Sequence, residues 1–524
     1  FRNSFKTEKK PRGINAACAA YNNLPKKFFG RLFFMKKLRV LLCLIFAAVF
    51  VPWGAACKRA EESAPAFYEL RLAYNPETRT LTGEETFAYE NRRDSAPAEL
   101  KFNLYPNAYR EDAVYKPVSE SMETSAYYAG KSYGKIEILG VEGGGEWAIE
   151  GEDCNLLCIS LLSPLQTGER VTLKISFVAT LPAANHRFGV SEHAVNLGNF
   201  YPILCGVYGN GFYENVYASE GDPFVSDCAD YDVSLTLPEN YAVAASGREI
   251  SAATGENGLK TCRYEGKNMR DFAFVCSEKF KVAECKAKTS KNSAAAVKYY
   301  YIDDAEPQKT LGAAREALEY YSESYGAYPY GTYSVAQTGF CYGGMEYPAL
   351  SFLAAGLAEE EKIYATAHET AHQWWYALVG SNAVEEAWQD EGAVEYSAAC
   401  FFGEYKQYGI DKETLIRSAE REYHAYYSVY SRVFHGTDTR MSRPLGDYAG
   451  DYEYRAIAYD KGLMLFSALE KSVGKKTVEK ALRAYVKACA YKIAAPADPV
   501  AAFERSGVDV SGLFSSFLNG EAIV

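Results

Sequence analysis

The stretch Ala367–Tyr396, A-H-E-T-A-H-Q-W-W-Y-A-L-V-G-S-N-A-V-E-E-A-W-Q-D-E-G-A-V-E-Y, sets two histidines four positions apart with a glutamate directly after the first. On a helix, positions i and i+4 share a face one turn apart. His368 and His372 can therefore offer two imidazoles to one ion. Glu369, one residue round, can reach a water on that ion without ligating it, which is the H-E-x-x-H arrangement. Catalytic zinc takes three protein ligands and a water, so a third ligand is required. Glu391 is the candidate: eighteen residues separate it from His372, a length that suits a helix end, a turn and an antiparallel return. Glu395 lies one turn further on, either hydrogen-bonded to a ligand imidazole or solvated on the helix face. The first helix is expected from about Glu361 to Val379, ended by Gly380, and the second from near Glu385. Trp374 and Trp375 mark the first as buried, and two unpaired histidines beside a glutamate would be costly to bury without a purpose. His186, His193, His424 and His435 have no partner at ligand spacing and are expected to be solvated or hydrogen-bonded structural residues.

Working outward, the two halves of the chain differ in period. From about Phe67 to Glu284, segments such as A-F-Y-E-L-R-L-A-Y and R-V-T-L-K-I-S-F-V-A-T-L alternate apolar and polar residues between Gly, Pro, Asn and Asp punctuation. Such alternation signals short strands, and many of them suggest a large antiparallel β-domain. Residues 197–227 are aromatic and Gly-rich without periodicity and read as an irregular loop facing the other domain. After roughly Lys298 the spacing turns helical, beginning with Gln308–Gly326 and its glycine stop. The expected organisation is multidomain: an N-terminal antiparallel β-domain over 66–284, then a thermolysin-like α+β, mostly helical catalytic domain over 285–524.

The 524 residues carry a net charge of −11, yet residues 1–56 alone carry +10, which leaves −21 for the remainder. So acidic a body gains nothing from counterion release, and nucleic acid is excluded as a partner. The basic start reads as targeting. Met35 opens M-K-K-L-R, the twelve apolar residues Val40–Val51 follow, and P-W-G-A-A-C ends at Cys57. That is the pattern of an export signal, too short for a span of about 20 residues. Small residues before Cys57 resemble a bacterial lipobox, with Gly54 where leucine is usual. Residues 1–57 are thus expected to be an upstream extension and signal peptide starting at Met35. The protein would be exported and lipid-anchored through Cys57 at the outer face of a bacterial membrane, or else secreted or periplasmic. The thirteen cysteines show no repeated C-x-x-C pairing and none lies beside the histidines, so no zinc–thiolate site is expected and no disulfide can be assigned.

H-E-T-A-H, the eighteen-residue gap and W-Q-D-E-G (Trp388–Gly392) together resemble the gluzincin zinc peptidases of the M1 aminopeptidase family. Thermolysin-like endopeptidases usually have one residue more in that gap. G-G-M-E-Y-P at Gly343–Pro348 is similar to the family's G-x-M-E-N exopeptidase motif, and A-Y-D-K-G at Ala458–Gly462 to its Y-x-K-G. L-K-F-N-L-Y-P-N-A-Y at Leu100–Tyr109 is similar to its first domain, so the resemblance covers about residues 66–520. It implies one zinc ion on His368, His372 and Glu391, Glu369 as general base and Tyr459 as oxyanion donor. Gly343, Gly344, Met345 and Glu346 would bind the substrate, with Glu346 meeting its α-amine. Two departures stand out. Tyr347 replaces the motif's Asn, which is expected to alter the first side-chain pocket, and no acidic or Gln residue from the first domain can be located within 197–227.

The implied activity is that of a zinc aminopeptidase acting on peptides with a free N-terminus, in a chain expected to be monomeric. The alternatives are a zinc endopeptidase or an epoxide hydrolase on the same scaffold, or a non-catalytic binding protein that keeps the fold.

Overall fold

The strand Ala66–Asn75 buries Ala66, Tyr68, Leu70, Leu72 and Tyr74 and turns the residues between them outward, as the period of two requires. In the computed structural model, which describes residues 64–208, 211–433 and 436–522, this strand sits at the centre of a seven-stranded sheet. The order runs Arg248–Thr254, Leu259–Met269, Ala229–Pro238, Ala66–Asn75, Thr80–Glu90, Arg170–Thr180 and Lys135–Glu142. Two four-stranded sheets and a two-stranded pair, Val207–Tyr208 with Gly211–Phe212, complete the described part of the β-rich half. One pairing departs from the antiparallel expectation: Ala66–Asn75 runs parallel to Ala229–Pro238, with Tyr68 opposite Tyr231. Alternation specifies which face a residue takes, not the direction of the neighbouring strand.

The segment expected to be an export signal and lipid anchor, Met35 to Cys57, lies outside the described residues, as does His435. Among the described residues no helix is long and apolar enough to cross a membrane, and the ten described cysteines are all free thiols.

A five-stranded mixed sheet opens the second half, ordered Lys281–Lys288, Ala294–Tyr301, Thr332–Thr338, Leu350–Ala354 and Gly344–Met345. Its first strand straddles the expected boundary at Glu284. The three central strands run parallel, and the short Gly344–Met345 strand is an antiparallel edge. Against this sheet packs the helix Pro307–Tyr325, which stops at Gly326 as expected.

The helix carrying the histidine pair runs Glu359–Ala371, opened by Glu361 accepting from the Ala358 N–H at 3.1 Å. It ends well before the expected Val379. The two indoles explain why: the Trp374 N–H donates to the Gly326 carbonyl, whereas that of Trp375 donates to Ser397 Oγ. The turn that follows is also held by Arg270, which donates to the Tyr376 carbonyl at 2.8 Å. His372 is the last turn's cap and remains one turn from His368. The return helix is Trp388–Glu404, after a single turn at Ala383–Glu386.

Candidate active site

His368 and His372 turn their Nε2 atoms toward each other, 3.2 Å apart. Each also lies 3.6 Å from Glu391 Oε2, an oxygen that has no hydrogen-bond partner. Ligands about 2.0–2.1 Å from a tetrahedral zinc sit about 3.3 Å from one another. The three donors, all buried, therefore fit one zinc ion and form a zinc-binding His–His–Glu triad.

A neighbouring carboxylate faces the Nδ1 atom of each imidazole. His372 Nδ1 donates to Asp390 Oδ1 at 2.8 Å and lies 3.0 Å from the Trp375 carbonyl. Both neighbours are acceptors, so the proton sits on Nδ1 and Nε2 presents its lone pair. His368 Nδ1 lies 3.0 Å from Glu395 Oε1, a charge contact whose angle is poor for a hydrogen bond. The Tyr364 hydroxyl donates to Glu395 Oε2 at 2.5 Å. The sequence suggested Glu395 for this position but passed over Asp390, although it directly precedes Glu391.

Glu369 is buried with Oε2 unpartnered, and burial pushes its carboxyl up to about 7 against the opposing pull of His368 and His372. Its place depends on Gly344, where a Cβ would fall 2.3 Å from Glu369 Oε1. Gly343 faces open space instead. The glycine pair thus has two functions, one accommodating the base and the other leaving the cleft floor bare.

Strand alternation then separates Met345 from Glu346. Met345 is buried away from the cleft, its Sδ 3.1 Å from Arg187 Nε. Glu346 points in; its Oε1 has no partner, and its carboxylate, Glu369 and His372 have ligand atoms within 4.8 Å of one another. Burial, followed by the charge of Asp222, holds the Glu346 carboxyl well above its usual range. Asp222, from the aperiodic loop in which the sequence located no such acid, acts on it through charge. It lines the same cleft, held by Arg187, which donates to Asp222 Oδ1 at 2.5 Å and to the Gly221 carbonyl at 3.0 Å. Nothing local in E-G-D-P singles it out; only the path of the irregular loop brings it here.

Tyr347 does not reshape a side-chain pocket as expected. It is fully buried and donates to Asn199 Oδ1 at 2.7 Å, while Asn199 donates to Asp271 at 2.6 Å. Gly198 makes room for the ring, since a Cβ there would meet the Tyr347 hydroxyl at 1.9 Å. The residue anchors the Gly344–Glu346 segment to the β-rich half.

The motif glycines position Tyr459. A Cβ on Gly462 would fall 2.6 Å from the Gly392 Cα, so the two helices approach backbone to backbone. Ahead of that contact, Arg455–Asp460 forms a π-helical turn, a feature common at functional sites. Together they stack Tyr459 over His368, with ring planes 8° apart, and let its hydroxyl donate to Glu391 Oε1 at 2.6 Å. Burial holds that phenol well above its usual value, and so protonated. Lys461 faces away and donates to the Thr439 and Phe517 carbonyls.

Of the remaining histidines, His186 is buried and bonded through Nδ1 to the Tyr109 hydroxyl, and His424 is exposed. His193 is half-buried, with Nδ1 unpartnered. All the cleft groups open onto one cavity of about 1060 Å³.

A His–His–Glu donor set suited to zinc thus lies in a fold whose β-rich half adjoins the metal-bearing half. Residues 309–517 match the Peptidase family M1 domain. Leucine aminopeptidase 2 of Aspergillus niger is 26% identical over 299 residues, which is 52% of this chain and 43% of that protein. The leukotriene A-4 hydrolase homolog of Botryotinia fuckeliana is 25% identical over 158 residues, covering 28% of this chain and 22% of that protein. The chain thus spans less than half the length of these curated relatives. The M1 zinc metallopeptidase of Deinococcus radiodurans has the same fold, with a TM-score of 0.62 at 17% identity over 88% of this chain and 96% of that one. A mutant form of that enzyme, crystallised with a Tyr-Ser-Ala substrate, aligns with a TM-score of 0.59 at 18% identity, over 87% of this chain and 94% of that one.

Proposed function

We propose that this protein is a zinc aminopeptidase, releasing the N-terminal residue of peptides. The observation that carries the reading is Glu346: a buried carboxylate with an unpartnered oxygen, paired with Asp222 and set beside Glu369 and the zinc triad. A buried carboxylate beside another acid is unfavourable alone, and a peptide's α-ammonium placed against Glu346 relieves that cost. A chain held by its amine presents its first peptide bond to the metal site. The edge strand ending at Gly344–Met345, with Gly343 bare, offers backbone for the peptide to pair with.

Zinc, when bound, supplies Lewis-acid polarisation of the carbonyl and lowers the pKa of the attacking water. Glu369 takes the water's proton and passes it to the leaving amine. Tyr459, protonated and facing the same cleft, is the hydrogen-bond donor for the developing oxyanion. Asp390 keeps the His372 imidazole in the ligating tautomer, and Glu395 lies beside His368 Nδ1.

The test compares a free peptide with its N-acetylated copy, with and without chelator, in the wild type and in Glu369→Gln. Chelator-sensitive cleavage of the free peptide alone, lost in the variant, is the expected result. Equal cleavage of the acetylated copy would establish an endopeptidase instead. Export with lipidation at Cys57 is part of the same proposal and rests on the Met35–Cys57 pattern. Mass analysis of the mature N-terminus checks it: a protein starting at an unmodified residue overturns the anchor.

A further inference from the structure

We infer that this cleft selects peptides with lysine or arginine immediately after the residue that is removed. The inference rests on the aminopeptidase reading and deepens it. Direction comes first. Glu346 lies level with Glu369 and His372, so the amine end is at the C-terminal end of the zinc helix. The cleft continues past the metal to Tyr364, two turns and about 12 Å back along the same helix. Whatever follows the scissile bond runs that way.

The far part of the cleft has the chemistry of a long cationic side chain. Its wall includes Leu415, Ala419 and Glu422 from the helix Lys412–Val433, which share one face at i, i+4 and i+7. Over about 10 Å that face passes from apolar to acidic. Leu463 adds to the apolar part and Asp460 to the acidic part. An aliphatic stem with a charged head matches this gradient, the stem lying on apolar surface and the head reaching the carboxylates.

Of the two carboxylates, Asp460 is the one without compensation. Asp460 makes no ion pair among the described residues, and its carboxyl is raised to about 7, by burial and then by the charge of Glu395, with Glu422 adding to the effect. Glu422 accepts from Arg421 at 3.1 Å, but on the exposed side. Arg455, the positive side chain of this wall, is exposed, and its charge only partly offsets that burial. A substrate cation supplies the missing charge, and a substrate carboxylate is repelled.

Tripeptides Leu-Xaa-Ala with Xaa as Lys, Arg, Ala or Glu test this on the zinc-loaded enzyme, with kcat/KM as the readout. Lys and Arg are expected to exceed Ala by about tenfold, and Glu to fall below Ala. Raising salt should shrink the spread. In the double variant Asp460→Asn with Glu422→Gln, the Lys-to-Ala ratio should fall toward one. Equal rates for Lys, Ala and Glu in the wild type overturn the inference, as does a Lys preference that survives both substitutions. Failure to cleave any free tripeptide would instead remove the aminopeptidase reading beneath it.

Discussion

Replacing Gly344 by alanine adds one methyl group, and the structure says where it would go. The new Cβ would fall 2.3 Å from Glu369 Oε1, 2.5 Å from its Cδ and 2.6 Å from its Cγ. Ordinary contacts begin near 3.4 Å, so the carboxylate must retreat by about 1 Å, and a misplacement of that size costs on the order of 10²-fold in rate. The three atoms nearest the new methyl group all belong to Glu369 and none to a metal ligand, so zinc content should stay at one ion per chain. The assay is kcat and KM on a free-amine reporter peptide beside zinc analysis of the same preparation. Gly344→Ala is expected to keep its zinc and lose about a hundredfold in kcat. Gly343→Ala, whose methyl points into open space, is expected to raise KM more than it lowers kcat. A Gly344→Ala enzyme within threefold of wild type would refute the claim that this glycine seats the base.

Asp390→Asn leaves the triad in place but removes the charge behind His372, and zinc affinity measured by chelator competition should drop 10- to 100-fold; unchanged affinity argues that Asp390 is not the orienting group. Gly462→Ala drives a Cβ into the Gly392 backbone at 2.6 Å, where no flexible side chain can yield. Urea melts should show a loss of about 1–3 kcal/mol, and a wild-type melt would mean the helices can separate freely. Lys461 supplies a pH test. Burial, reinforced by Arg443, pulls its ammonium from the ordinary 10.5 down to about 8. A depressed folded-state value means stability that is full above 10.5 and lost as pH falls through about 8, a span of roughly 3 kcal/mol. The wild-type unfolding free energy should therefore climb relative to Lys461→Met between those limits. A difference that stays flat with pH would show that burial does not hold the lysine's charge at a cost.

What the order of residues settled by itself is whatever repeats along one element. His368, His372 and Glu369 follow from the helical period, Glu391 from the length of a helix–turn–helix return, and the buried faces of strands such as Ala66–Asn75 from alternation. These features need only a few neighbouring residues, so local geometry dictates them. Tertiary packing decided the rest. The parallel pairing of Ala66–Asn75 with Ala229–Pro238, the inward carboxylate of Asp222 on an aperiodic loop, and the early end of the zinc helix depend on distant partners. So does the burial of Tyr347 against Asn199. Tyr459 reaches Glu391 only because Gly392 and Gly462, seventy positions apart in the chain, meet backbone to backbone. No local period records a contact of that kind; it exists only once the helices have closed on each other.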